Sequence, residues 1–360
     1  MNLYDRFKLK DPSDIFYYNY ISYNPILRPS CAWNFIEEYF KLGGKEHAFD
    51  LSFFKELKVN GKHIHSISMY YIGCILSNLV KGRLNDKLVE LIPGHGGDFK
   101  YKFIYSWFLT CLYHDTACVI EEPKKKGIKT GSPKWLLNEA LKEYQIENNV
   151  YIQKCNLEYT YTLDIIENYF NYCRNYRDKL DHGIIGGFVF YDRLVKNYNK
   201  TWDKHKPNRL TTESYECFNT DNLSWRIEHL DHFAYIANSI IAHNIWVANK
   251  DTKKIYIRFG LDQLLEENYK KITLDEDPLV LFLAIVDTIE PTKFFIGANP
   301  EFVWKNIDMY YDSVENKINI SVLSDTLDYK RWFKKISGLK DWLNVDISKA
   351  VGRNMEIYIL

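Results

Sequence analysis

The stretch WFLTCLYHDTACVIEE, residues 107–122, sets an imidazole beside a carboxylate, His114-Asp115, at the end of an apolar run. Such a doublet is either a polar helix end or part of a metal site. In the second case the imidazole binds one ion, and the carboxylate, with two oxygens, can bridge to another. Residues of the same types stand where other apolar segments begin or end. His65 opens the segment HSISMYYIGCIL, and Asp181-His182 precede the apolar face of GIIGGFVFYDRL. His243 lies in SIIAHNIWVA, and Asp287 follows the run LVLFLAIV. A carboxylate at the end of a helix that is apolar nearly all round needs a cation, a donor or a metal, because a buried unpaired charge is expensive.

Four histidines and two aspartates on separate helices form a nitrogen and oxygen donor set. Such sets suit Mn, Fe, Co, Ni or Zn rather than calcium, and no cysteine is needed. A single histidine on an apolar face is more often a core residue than a ligand, so the ordered set, not His243 alone, argues for metal. His229 and His232 in IEHLDHFAY fall in the first turn of a helix and read as capping or solvent-facing. Glu121 and Glu122 read as the solvated start of a loop. The KKKGIK run at 124–129 reads as a solvated charge run.

The elements that must position these residues are mostly helical. Ile104, Phe108, Cys111 and Asp115 recur at helical spacing, as do Ile184, Phe188, Tyr191 and Val195, and Ile236, Ile240, His243 and Val247. Asp277-Pro278 reads as a cap followed by a first-turn proline. After about residue 295 the character changes: MYYDSVENKINISVLSD predicts two short strands around Glu-Asn-Lys, and MEIYIL a terminal strand. The expected architecture is a mostly α protein: an N-terminal helical extension over 1–58 packed on a helical domain over 59–295, then a small α+β appendage over 296–360.

Composition narrows the class. The 360 residues are 46% hydrophobic, which supplies a sizeable core, and Lys+Arg equals Asp+Glu at 47 each. A net charge of zero makes no electrostatic case for coating a phosphate backbone, although a local basic groove stays open. The seven cysteines form no CxxC pair, and several sit in apolar runs as small core residues. The first residues lack an apolar leader segment and no run is long enough to span a bilayer. The expectation is a cytoplasmic protein without membrane contact. No P-loop or G-x-S-x-G is present, and GIIGG opens inside a helix without a preceding strand.

The order of elements resembles the HD-domain superfamily, metal-dependent phosphohydrolases and phosphodiesterases built as helical bundles. The resemblance spans roughly residues 60–295 and is carried by LYHDTA, DHGIIGGFVFYDRL, IIAHNIW and LAIVDTIEPTK. It implies an HD-type bundle holding two divalent transition-metal ions. His65, His114, Asp115 and Asp287 would hold the first, and His182 and His243, with Asp115 bridging, the second. His63 and His95 are the alternatives to His65, which is preferred because Ser66 and an apolar helix follow it directly. Asp115 and Lys293, in EPTK, are the residues expected to serve catalysis. Lys293 reads equally as an ordinary helix-end lysine.

The activity so implied is hydrolysis of a phosphate ester or phosphodiester in a small, nucleotide-like substrate. Many members have Gly-Lys soon after the doublet, a lysine that often contacts substrate, where this chain has Thr116-Ala117-Cys118, a departure that bears on the implied substrate class. Loops at 121–145 and 198–224 would set specificity. Three other readings stand beside this one: a di-iron oxygenase with the same ligand set, a non-catalytic nucleotide-sensing module, and a nuclease, which the neutral charge disfavours.

Overall fold

The computed structural model describes residues 1–9, 32–42, 58, 61–91, 103–121, 130–147, 160–204, 229–295, 297–348 and 350–360. Among these are thirteen α-helices and one four-stranded antiparallel sheet. The helices that build the centre are α3 (Lys62–Leu76), α5 (Phe103–Tyr113), α8 (His182–Lys204), α9 (His229–Ala242) and α11 (Pro278–Ile289). The remaining ones are α1 (Leu3–Leu9), α2 (Ala32–Leu42), α4 (Lys81–Leu91), α6 (Pro133–Glu143), α7 (Leu163–Asn175), α10 (Lys253–Arg258), α12 (Pro300–Lys305) and α13 (Lys330–Ser337).

Helix α11 begins at Pro278, as Asp277-Pro278 predicts, although the Asp277 side chain makes no capping bond. Its residues Leu279–Val286 are all buried, because a helix that is apolar all round can only sit inside the bundle. Helix α5 is likewise buried along its whole length. Two of the close crossings depend on glycine. A Cβ at Gly187 of α8 would lie 2.6 Å from the Ala237 carbonyl oxygen on α9, and one at Gly183 would lie 2.9 Å from the Cβ of Asn244. GIIGG is therefore a contact surface that lets α8 approach α9, not a phosphate loop.

The expected helical stripes hold along most of their length but run past the helix ends. Ile184, Phe188, Tyr191 and Val195 are all buried in α8. By contrast α5 stops at Tyr113 and α9 at Ala242, so Asp115, His243 and Val247 lie beyond the helices that the spacing predicted. Thr116–Ile120 continues from the doublet as a tighter 3-10 helix.

The end of the chain forms β1 (Ile307–Asp312), β2 (Lys317–Val322), β3 (Val345–Ile347) and β4 (Asn354–Ile359), in the order β1-β2-β4-β3. The two strands around Glu-Asn-Lys pair as a hairpin from Ile307↔Val322 to Asp312↔Lys317. Alternation buries Ile318, Ile320 and Val322 on β2 and Met355, Ile357 and Ile359 on β4, the period of two that a half-covered sheet requires. One continuous apolar core runs from the bundle into this region, including Trp332 and Trp342. Helix α1 joins it: Phe7 packs edge-on against Tyr71 of α3 and Trp304 of α12, and Arg6 bonds Asp308 of β1 through Nε at 2.7 Å and Nη2 at 3.2 Å. No helix among the described residues is long and apolar enough to cross a membrane.

Candidate metal centre

Helix ends converge on one place. His114-Asp115 and His243 sit just beyond the C-termini of α5 and α9, and Asp287 lies in the last turn of α11. His65 lies in the first turn of α3, and His182 is the first residue of α8. The last carbonyls of a helix lack intrahelical partners and carry partial negative charge, so three C-termini favour a cation here. Two histidines use those carbonyls directly. His114 Nδ1 donates to the Cys111 carbonyl at 2.9 Å, and His243 Nδ1 donates to that of Ile240. A carbonyl only accepts, so the hydrogen is on Nδ1 and each Nε2 keeps its lone pair; that of His114 faces His65 Nε2 at 3.3 Å.

The other two imidazoles stand beside carboxylates. His65 Nδ1 lies 2.8 Å from Glu290 Oε2, and Glu290 is fully buried, held by the Ser68 hydroxyl at 2.6 Å and the Thr292 amide at 3.0 Å. His182 Nδ1 lies 3.3 Å from Glu121 Oε2, and Lys179 pairs with the other oxygen of Glu121. Outer partners of this kind fix the ring and raise its basicity toward a metal.

The donor atoms fall into two groups. In the first, His65 Nε2 stands 3.3 Å from His114 Nε2 and 3.2 Å from Asp287 Oδ1, with His114 Nε2 3.8 Å from that same oxygen. In the second, Asp115 Oδ1 stands 3.5 Å from His182 Nε2 and 3.1 Å from Cys118 Sγ. Asp115 joins them, because its other oxygen, Oδ2, lies 3.8 Å from His65 Nε2 and 3.7 Å from His114 Nε2. The His243 ring lies between, its centroid 5.6 Å from that of His114 and 5.4 Å from that of His182. Donors about 2.0–2.2 Å from one ion stand roughly 3–3.5 Å apart. The separations within each group fall in or near that range, and those from Asp115 Oδ2 and from His114 to Asp287 lie a few tenths of an ångström beyond it, so the two groups could hold metal ions.

No family model, curated protein or solved structure matches the chain.

Electrostatics divides the four imidazoles into pairs. Burial pushes His114 and His243 down to about 4, so both are neutral at ordinary pH. For His65 burial acts in the same direction, but bonds to Asp287 and Glu290 outweigh it and raise the ring to about 9. His182 is raised too, against burial, by Cys118, Glu121 and Asp115. Burial would raise both aspartates, yet each is held well below the usual carboxylate range. The cause at Asp115 is His114, Lys62 and His182, and at Asp287 it is Lys293, His65 and His114. Protons on His65 and His182 thus supply positive charge that bound cations would replace.

Five of the residues expected as ligands, His65, His114, Asp115, His182 and Asp287, fall in the two donor groups, and His243 is placed beside them by its ring contacts with His114 and His182 rather than in either group. Lys293 is there too, its Nζ 2.6 Å from Asp287 Oδ1. His63 instead packs edge-on against Trp33, and His95 and the 124–129 run lie outside the described residues. Asp181 is structural: Oδ1 accepts from the Ile184 amide at 2.9 Å and Oδ2 from the Asn244 amide group at 2.7 Å. His232 neither caps nor faces solvent: it is fully buried with a ring nitrogen 2.9 Å from Ser106 Oγ, because the first turn of α9 faces α5. The His229 side chain lies outside the described set.

Four contributors escaped the spacing analysis: Lys62, Cys118, Glu121 and Glu290. Lys62 Nζ lies 3.2 Å from Asp115 Oδ2. Glu121 is not a solvated loop start: it is partly buried, paired with Lys179 and 3.3 Å from His182 Nδ1, and His182 and Lys179 pull its carboxyl down to about 2 against the effect of burial. Asp115, Cys118 and Glu121 share one face because residues three apart eclipse in a 3-10 helix. The spacing is present as D-x-x-C-x-x-E, but with the helix read as ending at the doublet and Glu121 as a loop start, nothing marks the turn between them as 3-10.

Proposed function

We propose that this chain is a metal-dependent phosphohydrolase of the HD-domain type, acting on a phosphate ester or phosphodiester of a small, nucleotide-like substrate. The observation that carries the reading is the division of Asp115: one oxygen faces His65 and His114, the other faces His182 and Cys118. The order of the helix-end ligands along the chain supports it as well. Divalent ions held there would lower the pKa of a water to supply hydroxide near neutral pH and would offset charge on phosphoryl oxygens.

The chain's own residues then have separable tasks. Asp115 fixes the spacing of the two donor groups, and Glu290 and Glu121 orient His65 and His182. Lys62 and Lys293 are partly exposed, each bonded to one of the two aspartates. They are the cations available to non-bridging oxygens of a bound phosphate, and an anionic substrate is the class they favour. The C-terminal segment reaches the rim of the site: Lys335 of α13 lies over Trp246, 4.1 Å from the ring centroid, and Trp246 donates to Asn244 at 3.0 Å.

The test is metal content and turnover of the wild type and of Asp115→Ala. About two transition-metal ions per chain are expected, with hydrolysis of a generic phosphomonoester or phosphodiester, and the variant loses both ions and the activity. Full activity in the variant would end this reading. Iron-dependent oxygen uptake without phosphate release would replace it with the oxygenase reading.

A further inference from the structure

The metal-like donor set contains a sulfur that the nitrogen and oxygen pattern does not require. One ligand atom from each of Asp115, Cys118 and His182 lies within 4.8 Å of the other two. Cys118 is a free thiol, partly buried, and its Sγ is 3.1 Å from Asp115 Oδ1, the oxygen that faces His182. Its position is not accidental to the backbone. The Cys118 amide donates to the Asp115 carbonyl at 3.0 Å, closing one 3-10 turn that stacks residue 118 over residue 115.

We infer that Cys118 is a thiolate ligand of the second ion, sharing it with His182 and Asp115. This rests on the two-ion reading above and adds the chemical class of the second ion. A sulfur at about 2.3 Å and an oxygen at about 2.1 Å from one ion stand roughly 3.1 Å apart at a right angle and roughly 3.6 Å at the tetrahedral angle. The observed separation falls at the first of these values. Coordination replaces the S–H bond with a sulfur–metal bond and releases one proton to solvent. A thiolate makes this half of the centre softer than the half built from His65, His114 and Asp287, so it selects zinc, cobalt or ferrous iron over magnesium or manganese.

The competing account of the 3.1 Å contact is a thiol that donates a hydrogen bond to Asp115 and stays protonated when metal binds. Cobalt(II) distinguishes the two, since thiolate ligation gives a near-ultraviolet sulfur-to-cobalt charge-transfer band and a thiol does not. The full-length protein is stripped with chelator and titrated with cobalt(II) under anaerobic conditions, alongside Cys118→Ser and Cys118→Ala. The expected result is a charge-transfer band that develops during the titration of the wild type and is missing from both variants. The visible cobalt bands of the half built from His65, His114 and Asp287 persist in the variants, which shows that they are folded. In addition, cobalt should protect Cys118 from a thiol-modifying reagent. Two equivalents bound with no such band, or with Cys118 still reactive, overturns the thiolate and leaves the two-ion site standing. Failure to bind any cobalt overturns both.

Discussion

The two halves of the cluster are built on different terms. The half around His65, His114 and Asp287 sits on α-helix ends, and its outer support, Glu290, is fully buried with donors from Ser68 and Thr292. The half around Cys118 and His182 sits on a 3-10 turn and the first residue of α8, and its outer support, Glu121, is partly exposed and paired with Lys179. A buried carboxylate with its acceptors filled cannot relax when its histidine is disturbed, whereas a partly exposed one can turn to water. The first half is thus pre-organised by the core and the second by a short local turn.

Asp115 belongs to both halves, so Asp115→Ala is the largest expected effect: both ions and all turnover are lost in elemental analysis and hydrolysis assays. Glu290→Gln separates the halves. It should weaken the first ion by roughly 10- to 100-fold while leaving the second within a few-fold, read by metal titration. Equal losses at both would erase the distinction drawn above.

The pH dependence of the chelator-treated protein sharpens the contrast further. Because His114 and His243 are pushed from 6.5 to about 4, the unfolded chain takes up protons between those values that the folded one refuses. Stability contributed by these two therefore falls as pH drops through that window. His65 is raised from 6.5 to about 9, so its contribution is complete below 6.5 and is lost as pH climbs to 9. Thermal unfolding should show a maximum near 6.5, and added metal should remove the alkaline decline, since metal binds deprotonated imidazole. A flat profile without metal would mean that the imidazoles are not buried as described. The smallest expected effect is local: Gly187→Ala sets a Cβ against the Ala237 carbonyl and should cost about 1–3 kcal/mol in denaturant unfolding. The same change should weaken the second ion more than the first, since α8 carries His182.

Much of this was legible in the sequence because helix ends and apolar runs are local signals. The buried run before Asp287, the doublet after α5 and the hairpin around Glu-Asn-Lys all follow from composition and period. What was not legible depended on contacts between distant segments or on a change of period. Lys62 and Glu290 are ordinary charged residues until α3 and α11 meet, and Cys118 and Glu121 line up with Asp115 only once the turn tightens from 3.6 residues to about three. His243 was placed inside its helix because the apolar stripe gives no notice of where hydrogen bonding stops. His232 was misplaced because a first turn can face inward as readily as outward.

The pairing of His65 with Glu290, 225 positions apart, and of Arg6 with Asp308, 302 apart, has a consequence for how the chain is made. During synthesis the N-terminal segment leaves the ribosome long before its partners exist. Closing such distant contacts delays their reward until late in assembly. Arg6 of α1 and His65 in the first turn of α3 must therefore wait for their partners until residues 308 and 290 have been made. The first half of the cluster therefore cannot close until residue 290 has been made, and a nascent chain stalled before that point lacks the carboxylate that orients His65.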